Sequence, residues 1–103
     1  MVRYTVAIYP GDRQPVGRRR DNYLVLEEPN VSGLHLWIWY YSDFIAGVLD
    51  TSSNGAFVST IHGRRNLTPN VWYFVRWGSL LRLARGVLLE VVRTDVTAAF
   101  DGA

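Results

Sequence analysis

The chain contains no cysteine and no lysine, and each absence removes a class of chemistry. Without cysteine among its 103 residues, the protein can form no disulfide, no thiolate metal site and no thiol nucleophile. All eleven basic residues are arginine, whose planar guanidinium grips a phosphate or carboxylate in two places at once. Against nine acidic residues the net charge is only +2, too small to indicate nucleic-acid binding through bulk charge.

Long hydrophobic runs are also missing. The first apolar segment, residues 4–9, stops at Pro10-Gly11 and resembles neither a signal peptide nor a membrane span. We therefore expect an intracellular, cytoplasmic protein that does not enter a membrane. The two histidines come without cysteines or clustered acids, so we expect neither a metal nor a cofactor.

Short apolar runs separated by Gly, Pro, Asn and Asp recur along the chain, and no stretch has a helical period. This pattern predicts an all-β protein with about ten strands, arranged as a two-sheet β-sandwich. The expected strands are 2–9, 16–17, 23–26, 35–41, 44–49, 57–58, 71–75, 80–83 and 87–92. Residues 59–66 are polar and are expected to be a connection. We predict one domain over residues 1–93, followed by a C-terminal tail at residues 94–103.

The segment Asp50–Val58 contains the strongest turn signal, Asn54-Gly55, with apolar residues on either side. Because both residues of this pair accept positive φ, we expect a tight hairpin here. Its tip would present Thr51, Ser52 and Ser53, whose hydroxyls make a concavity suited to an anion. A later turn at Arg85-Gly86 is expected at the far end of the molecule.

The longest strand has two apolar faces. Period-two alternation puts Leu36, Ile38 and Tyr40 on one face, and Trp37, Trp39 and Tyr41 on the other. If the first set faces the core, the second projects outward, together with Ile45 and Leu49 of the next strand. Such a patch predicts either a homo-oligomer or a covering segment, while ordinary packing under a loop or the tail remains an equal alternative.

Three short motifs follow one another in the chain: Gly17-Arg18, Ser32-Gly33-Leu34-His35 and Asp50-Thr51-Ser52-Ser53-Asn54-Gly55. In this order and spacing they resemble the forkhead-associated (FHA) domain family, and residues 78–84 are similar to a later segment of that family. The resemblance covers roughly residues 2 to 93. It implies a sandwich of about eleven short strands that binds phosphothreonine peptides through loops at one end and has no catalytic activity.

The resemblance also implies roles for individual residues. Arg18 and Ser32 would contact the phosphate, Ser53 would occupy the place of the phosphate-loop Ser/Thr, and Asn54 would hold the peptide backbone. Gly17, His35, Asp50 and Gly55 would support the site, His35 by bracing the loops from behind.

Three positions depart from the family pattern. Ser59-Thr60 stands where the family usually has Asn-Gly, which bears on the contacts of the specificity loop, and Ala84 stands where glycine is typical. The residue after the motif serine is usually Arg, Lys or Asn, but here it is Gly33. Arg19, Arg20 or Arg64 could supply the phosphate or specificity contact that Gly33 lacks.

Two other functions remain open from the sequence. The protein could be an FHA-fold assembly protein that oligomerises through Trp37, Trp39 and Tyr41 without binding phosphate. It could also bind nucleic acid through the cluster 18–20 with exposed aromatics, although the low net charge speaks against this. An enzyme is the least expected, because a Ser32–His35 dyad would have neither an orienting acid nor an oxyanion motif.

Overall fold

The computed structural model describes residues 1–60 and 62–94, and this part of the chain is all-β. Its ten strands are β1 Val2–Ile8, β2 Arg13–Gly17, β3 Leu24–Val25, β4 Leu36–Tyr40, β5 Ile45–Asp50, β6 Phe57–Thr60, β7 Gly63–Asn66, β8 Trp72–Arg76, β9 Leu80–Ala84 and β10 Val87–Arg93. The described residues include no helix long and apolar enough to cross a membrane. Apart from Thr94, the predicted tail lies outside the described residues.

The strands form two five-stranded sheets, as the sequence predicted. One has the order β1-β10-β9-β6-β7 and the other has the order β3-β2-β4-β5-β8. Pairing is antiparallel except at two places, β1 with β10 and β2 with β3. A tight hairpin cannot join parallel strands. Accordingly, β1 and β10 are distant in sequence, and a loop separates β2 from β3.

The core lies between the sheets and is filled by alternate residues of their strands. The predicted inward set of β4 is buried, with Leu36 and Ile38 fully excluded from solvent and Tyr40 nearly so. Leu81 and Leu83 of β9 and the inward residues of β10 complete the opposite side. A core of large aliphatic side chains on two sheets gives the loops a rigid base.

The hairpin predicted at Asn54-Gly55 is wrong. The strands on either side of it, β5 and β6, belong to different sheets, so the loop 51–56 crosses from one sheet to the other. Gly55 has a φ of +90°, whereas Asn54 is not in the left-handed region. The Asn54-Gly55 signal thus located a loop correctly, but this loop connects the two sheets and is not a hairpin turn.

The connection predicted at residues 59–66 is also wrong in part. Residues 63–66 form β7, which pairs with β6 although every residue of β7 is exposed. Gly63, with a φ of +109°, makes the bend that returns the chain. Backbone hydrogen bonds at an open sheet edge need no apolar side chains, so this strand left no hydrophobic pattern.

The outer face of β4 has the predicted alternation, and the rings of Trp39 and Tyr41 pack on each other. Trp37 and Trp39 are half-buried, whereas Tyr41 is exposed. The ring of Trp39 lies 4.9 Å from that of Tyr41 and 5.4 Å from that of Trp72.

Two further neighbours complete this aromatic cluster. A Cβ added to Gly47 would lie 3.1 Å from the Trp72 ring and 3.2 Å from the Trp39 ring, so the two rings cover the bare backbone of β5. The Arg13 guanidinium lies 4.1 Å above Trp39, a cation–π distance. Nothing in the described residues supports self-association through this face.

Candidate phosphate-binding site

The first two motif loops are joined by backbone hydrogen bonds at one end of the sandwich. The Arg18 amide donates to the Ser32 carbonyl at 2.9 Å, and the Arg19 amide donates to the Gly33 carbonyl at 3.1 Å. This close approach requires glycine at position 17. A Cβ on Gly17 would lie 2.3 Å from the Gly33 carbonyl oxygen and 2.9 Å from the His35 nitrogen, well inside van der Waals contact.

The third loop is tied to the second through the Ser32 side chain. The Ser53 amide donates to Ser32 Oγ at 3.0 Å. Because a hydroxyl is both acceptor and donor, Ser32 keeps its own hydrogen for a ligand. The bond fixes the Ser53 backbone next to the Ser32 hydroxyl, so the two motif serines lie together.

His35 braces the same two loops from the protein interior. It is fully buried; its Nδ1 accepts from the Ser32 amide at 3.0 Å, and its Nε2 lies 3.1 Å from the Gly55 carbonyl oxygen. Nδ1 is therefore unprotonated, and Nε2 carries the hydrogen and donates to Gly55. Burial lowers the pKa of His35, against smaller upward effects from the Gly55 bond and the Asp50 charge. The neutral ring is a structural link and makes no bond to Ser32 Oγ, so it forms no catalytic dyad.

The loop 51–56 is organised by its own side chains. Buried Asp50 accepts from the Ser52 amide at 2.9 Å and from the Ser52 hydroxyl at 2.6 Å through Oδ1. Ser52 Oγ in turn accepts from the Gly55 amide at 2.8 Å. The Thr51 hydroxyl donates to the Leu34 carbonyl at 3.0 Å. The local bonds of Asp50 and Ser52, with the Thr51 bond to the second motif, replace the strand pairing that a hairpin would have provided.

Asn22 also supports the site, although no motif in the sequence indicated it. Asn22 is buried, and its Nδ2 donates to the Arg19 carbonyl at 3.0 Å and to the Gly33 carbonyl at 2.6 Å. It therefore holds the arginine loop against the second motif. The bond to Arg19 is local, but the bond to Gly33 spans eleven residues, so no local sequence signal could have revealed it.

The four predicted binding residues line one concavity of about 280 Å³. They are Arg18, Ser32, Ser53 and Asn54, and the other lining residues are Pro29, Asn30, Val31 and Gly33. Arg18 is exposed, and its Nη1 donates to the Pro29 carbonyl at 3.2 Å, which orients the guanidinium at the rim. Among the described residues, the lining includes one guanidinium, two hydroxyls and two side-chain amides, and no carboxylate.

The three accessory arginines lie in different places. Arg19 passes over Gly33, with its Cγ 3.1 Å from the point where a Cβ at residue 33 would lie, and its Nε lies 3.3 Å from Asp21. Its side chain thus fills the space that a larger residue 33 would use. Neither Arg19 nor Arg20 lines the concavity; Arg20 is exposed, and Arg64 lines a neighbouring concavity.

Arg85 was predicted at the far end, and that prediction is wrong. It lines the neighbouring concavity together with Asn54 and Gly55. The register explains this position, because Phe57, at the start of β6, pairs antiparallel with Arg82. The end of β9 therefore lies beside the loop from which β6 starts.

The described residues contain no group of three or more His, Asp or Glu side chains that could hold a metal ion. The lining of the concavity combines one guanidinium with hydroxyl and amide groups, a set of donors that suits an anion.

The sequence matches the FHA domain family model over residues 15–77, more than half of the chain. The chain belongs to the FHA domain family. FHA domains are phosphopeptide-binding modules, and the predicted family and fold are both confirmed. No curated protein matches the sequence.

Solved FHA structures share the fold. The MEK1 FHA domain in complex with a phosphothreonine peptide of HOP1 is 22% identical, with a TM-score of 0.58 over 72% of this chain and 74% of that one. The N-terminal FHA domain of Rad53p from S. cerevisiae, in complex with a phosphothreonine peptide, is 21% identical, with a TM-score of 0.61 over 74% and 59%. An FHA domain of a hypothetical Arabidopsis thaliana protein is 27% identical, with a TM-score of 0.61 over 73% and 61%.

Proposed function

We propose that this FHA domain is a phosphothreonine-dependent protein-binding module without catalytic activity. The observation that supports this most strongly is the single concavity formed by Arg18, Ser32, Ser53 and Asn54, with no carboxylate in its lining. Two of the similar structures are complexes with phosphothreonine peptides. The implied partners are a phosphorylated protein and the kinase that modifies it, so the role is in signalling.

Each residue has a separate task in this proposal. A phosphothreonine carries about −1.5 to −2 charges and three acceptor oxygens. Arg18 supplies the charge and a two-pronged donor, and the Ser32 hydroxyl supplies a second donor. Ser53 contributes its hydroxyl, while the exposed amide of Asn54 holds the peptide backbone. Because hydrogen bonds already fix the loops, binding requires little reorganisation.

Arg19 is the residue that offsets Gly33. Glycine leaves room for the Arg19 methylenes to lie across the second motif, next to the concavity. On this proposal the Arg19 guanidinium, which also lies 3.3 Å from Asp21, would turn from the first loop toward a bound phosphopeptide.

The assembly alternative has less support. Its interface would be Trp37, Trp39 and Tyr41, but Trp39 packs against its neighbours on the same sheet and covers Gly47. Because Trp39 already packs within its own chain, its burial does not require a second copy of the protein.

The test is a titration with a degenerate phosphothreonine peptide library, its phosphoserine counterpart and its unphosphorylated twin. The phosphothreonine library should bind, the unphosphorylated library should not, and phosphoserine should bind more weakly. Equal binding of phosphorylated and unphosphorylated peptides would refute the proposal.

A further inference from the structure

A second concavity, of about 360 Å³, adjoins the proposed phosphate site. Asn30 and Asn54 line both, so the two concavities share one wall. A peptide whose backbone is held at Asn54 would therefore have residues within reach of the second concavity. We name this second concavity the arginine pocket, after Arg64, Arg82 and Arg85, which line it.

The arginine pocket is strongly one-sided in charge. Its nine lining residues include these three arginines and no acidic residue. The ion pairs among residues 1–60 and 62–94 involve other arginines, at positions 3, 19 and 93. Three guanidiniums without a carboxylate around one concave space raise the local positive potential, and only an anion neutralises it.

The three arginines come from separate elements that the fold brings together. Arg64 lies on the edge strand β7, Arg82 is half-buried on β9, and Arg85 lies in the turn that follows. The Arg64 guanidinium lies 5.0 Å from the Phe57 ring, which restricts its motion and leaves its edge free to donate. A guanidinium positioned in this way suits a carboxylate or phosphate better than a freely moving cation does.

We propose that the partner segment has a second anionic group near its phosphothreonine, and that the arginine pocket binds it. This inference rests on the proposed function, because the phosphothreonine places the segment. The anion is either an Asp or Glu side chain or a second phosphorylated residue. Both offer oxygens to the same guanidiniums, so the pocket selects acidic or doubly phosphorylated segments among all phosphothreonine segments.

The test is calorimetry with one phosphothreonine peptide in a neutral background and a series in which a single aspartate moves along it, one position at a time. Aspartate at one position, or at two neighbouring ones, should tighten binding about twofold to fivefold, as for partly exposed ion pairs. Phosphoserine at that position should tighten binding further, because it has more charge. A gain from phosphoserine alone identifies a second phosphate as the natural group.

Matched variants assign the gain to the pocket. The ratio of the two dissociation constants, without and with the aspartate, is compared between proteins. Arg85→Ala and the double variant Arg64→Ala/Arg85→Ala should reduce that ratio toward one. Arg76→Ala should retain it, because Arg76 is an exposed arginine on β8 that does not line the arginine pocket.

The outcomes separate this inference from the proposed function. If the neutral phosphopeptide binds and no aspartate or phosphoserine position improves it, the inference fails and the proposed function stands. The inference also fails if the double variant retains the tighter binding of the aspartate peptide. It fails as well if a single-stranded oligonucleotide displaces the phosphopeptide and binds the protein more tightly than the phosphopeptide does. If no phosphopeptide of any kind binds, the proposed function fails and this inference fails with it.

Discussion

Gly17 and His35 show that the geometry of the candidate site depends on residues that do not line its concavity. Gly17 lets the backbone of the second motif pass within van der Waals distance of the first. His35 then bonds to both the second and third loops. The motif sequence predicted both residues as supports, but it could not show what they contact. Asn22 was missed because its main partner, Gly33, lies eleven residues away.

Gly17→Ala should destabilise the fold by about 1–3 kcal/mol, because the added methyl meets backbone atoms that cannot move without displacing the loop. Gly33→Ala is the matched control. Its methyl meets only the Arg19 side chain, which can shift, so its effect should stay within about 0.5 kcal/mol. Urea unfolding of both variants measures the difference. Equal midpoints would show that the close approach at Gly17 is not required.

The stability of the protein should depend on the protonation of His35. Burial lowers the pKa of His35 from its ordinary value of 6.5, so the unfolded chain takes up a proton at higher pH than the folded chain does. The contribution of neutral His35 to the free energy of unfolding is therefore fully present above pH 6.5. It decreases as the pH falls from there toward the lowered pKa. Protonation also removes the Nδ1 acceptor for the Ser32 amide, which should loosen the phosphate loops.

Unfolding free energies measured between about pH 7.5 and 5.5, above the usual range for carboxylates, test this dependence. The wild type and the His62→Gln control, whose replaced ring is exposed, should lose stability as the pH falls. The His35→Gln variant should lack that part of the slope. The same slope in all three proteins would contradict the role given to His35.

At the scale of single elements, apolar alternation predicted strands well and strand partners poorly. The β4 pattern separated the two faces correctly, because successive side chains of a strand point to opposite sides, but with both faces apolar it left open which one is buried. The strand β7 was not predicted because it is polar and exposed. The predicted Asn54-Gly55 hairpin was wrong because β5 and β6 lie in different sheets. Arg85 was misplaced for the same reason, since its position depends on which strand β9 pairs with.

Trp39→Ala should lower the free energy of unfolding by about 2 kcal/mol, because it removes three ring contacts and uncovers Gly47. Phe44→Ala, at a side chain that is 80% exposed, should have little effect. Denaturant unfolding at several protein concentrations checks both changes. If the wild-type midpoint rises with protein concentration and Trp39→Ala abolishes that rise, the rings serve self-association and the self-packed interpretation is wrong.

At the scale of the whole molecule, the two sheets hold three loops at one end, and the loops hold the donors. The family motifs gave, from the sequence, the four predicted binding residues among those that line the proposed phosphate concavity. The arginine pocket could not be predicted in this way, because β7, β9 and the β9–β10 turn meet only through strand order. The sequence thus indicated the residues of the proposed phosphate site, and only the fold revealed the cationic pocket beside them.

Calorimetric titration of the wild type, Arg18→Ala and Arg76→Ala with one phosphothreonine peptide and its unphosphorylated twin tests the central claim most directly. Arg18→Ala should weaken phosphopeptide binding by about tenfold to a hundredfold, the loss of charge-assisted bonds worth roughly 1.5–3 kcal/mol. Arg76→Ala, which removes an exposed arginine outside both concavities, should bind like the wild type, and the unphosphorylated peptide should not bind. Unchanged affinity in Arg18→Ala, or equal binding of the two peptides, would contradict a phosphate-reading function.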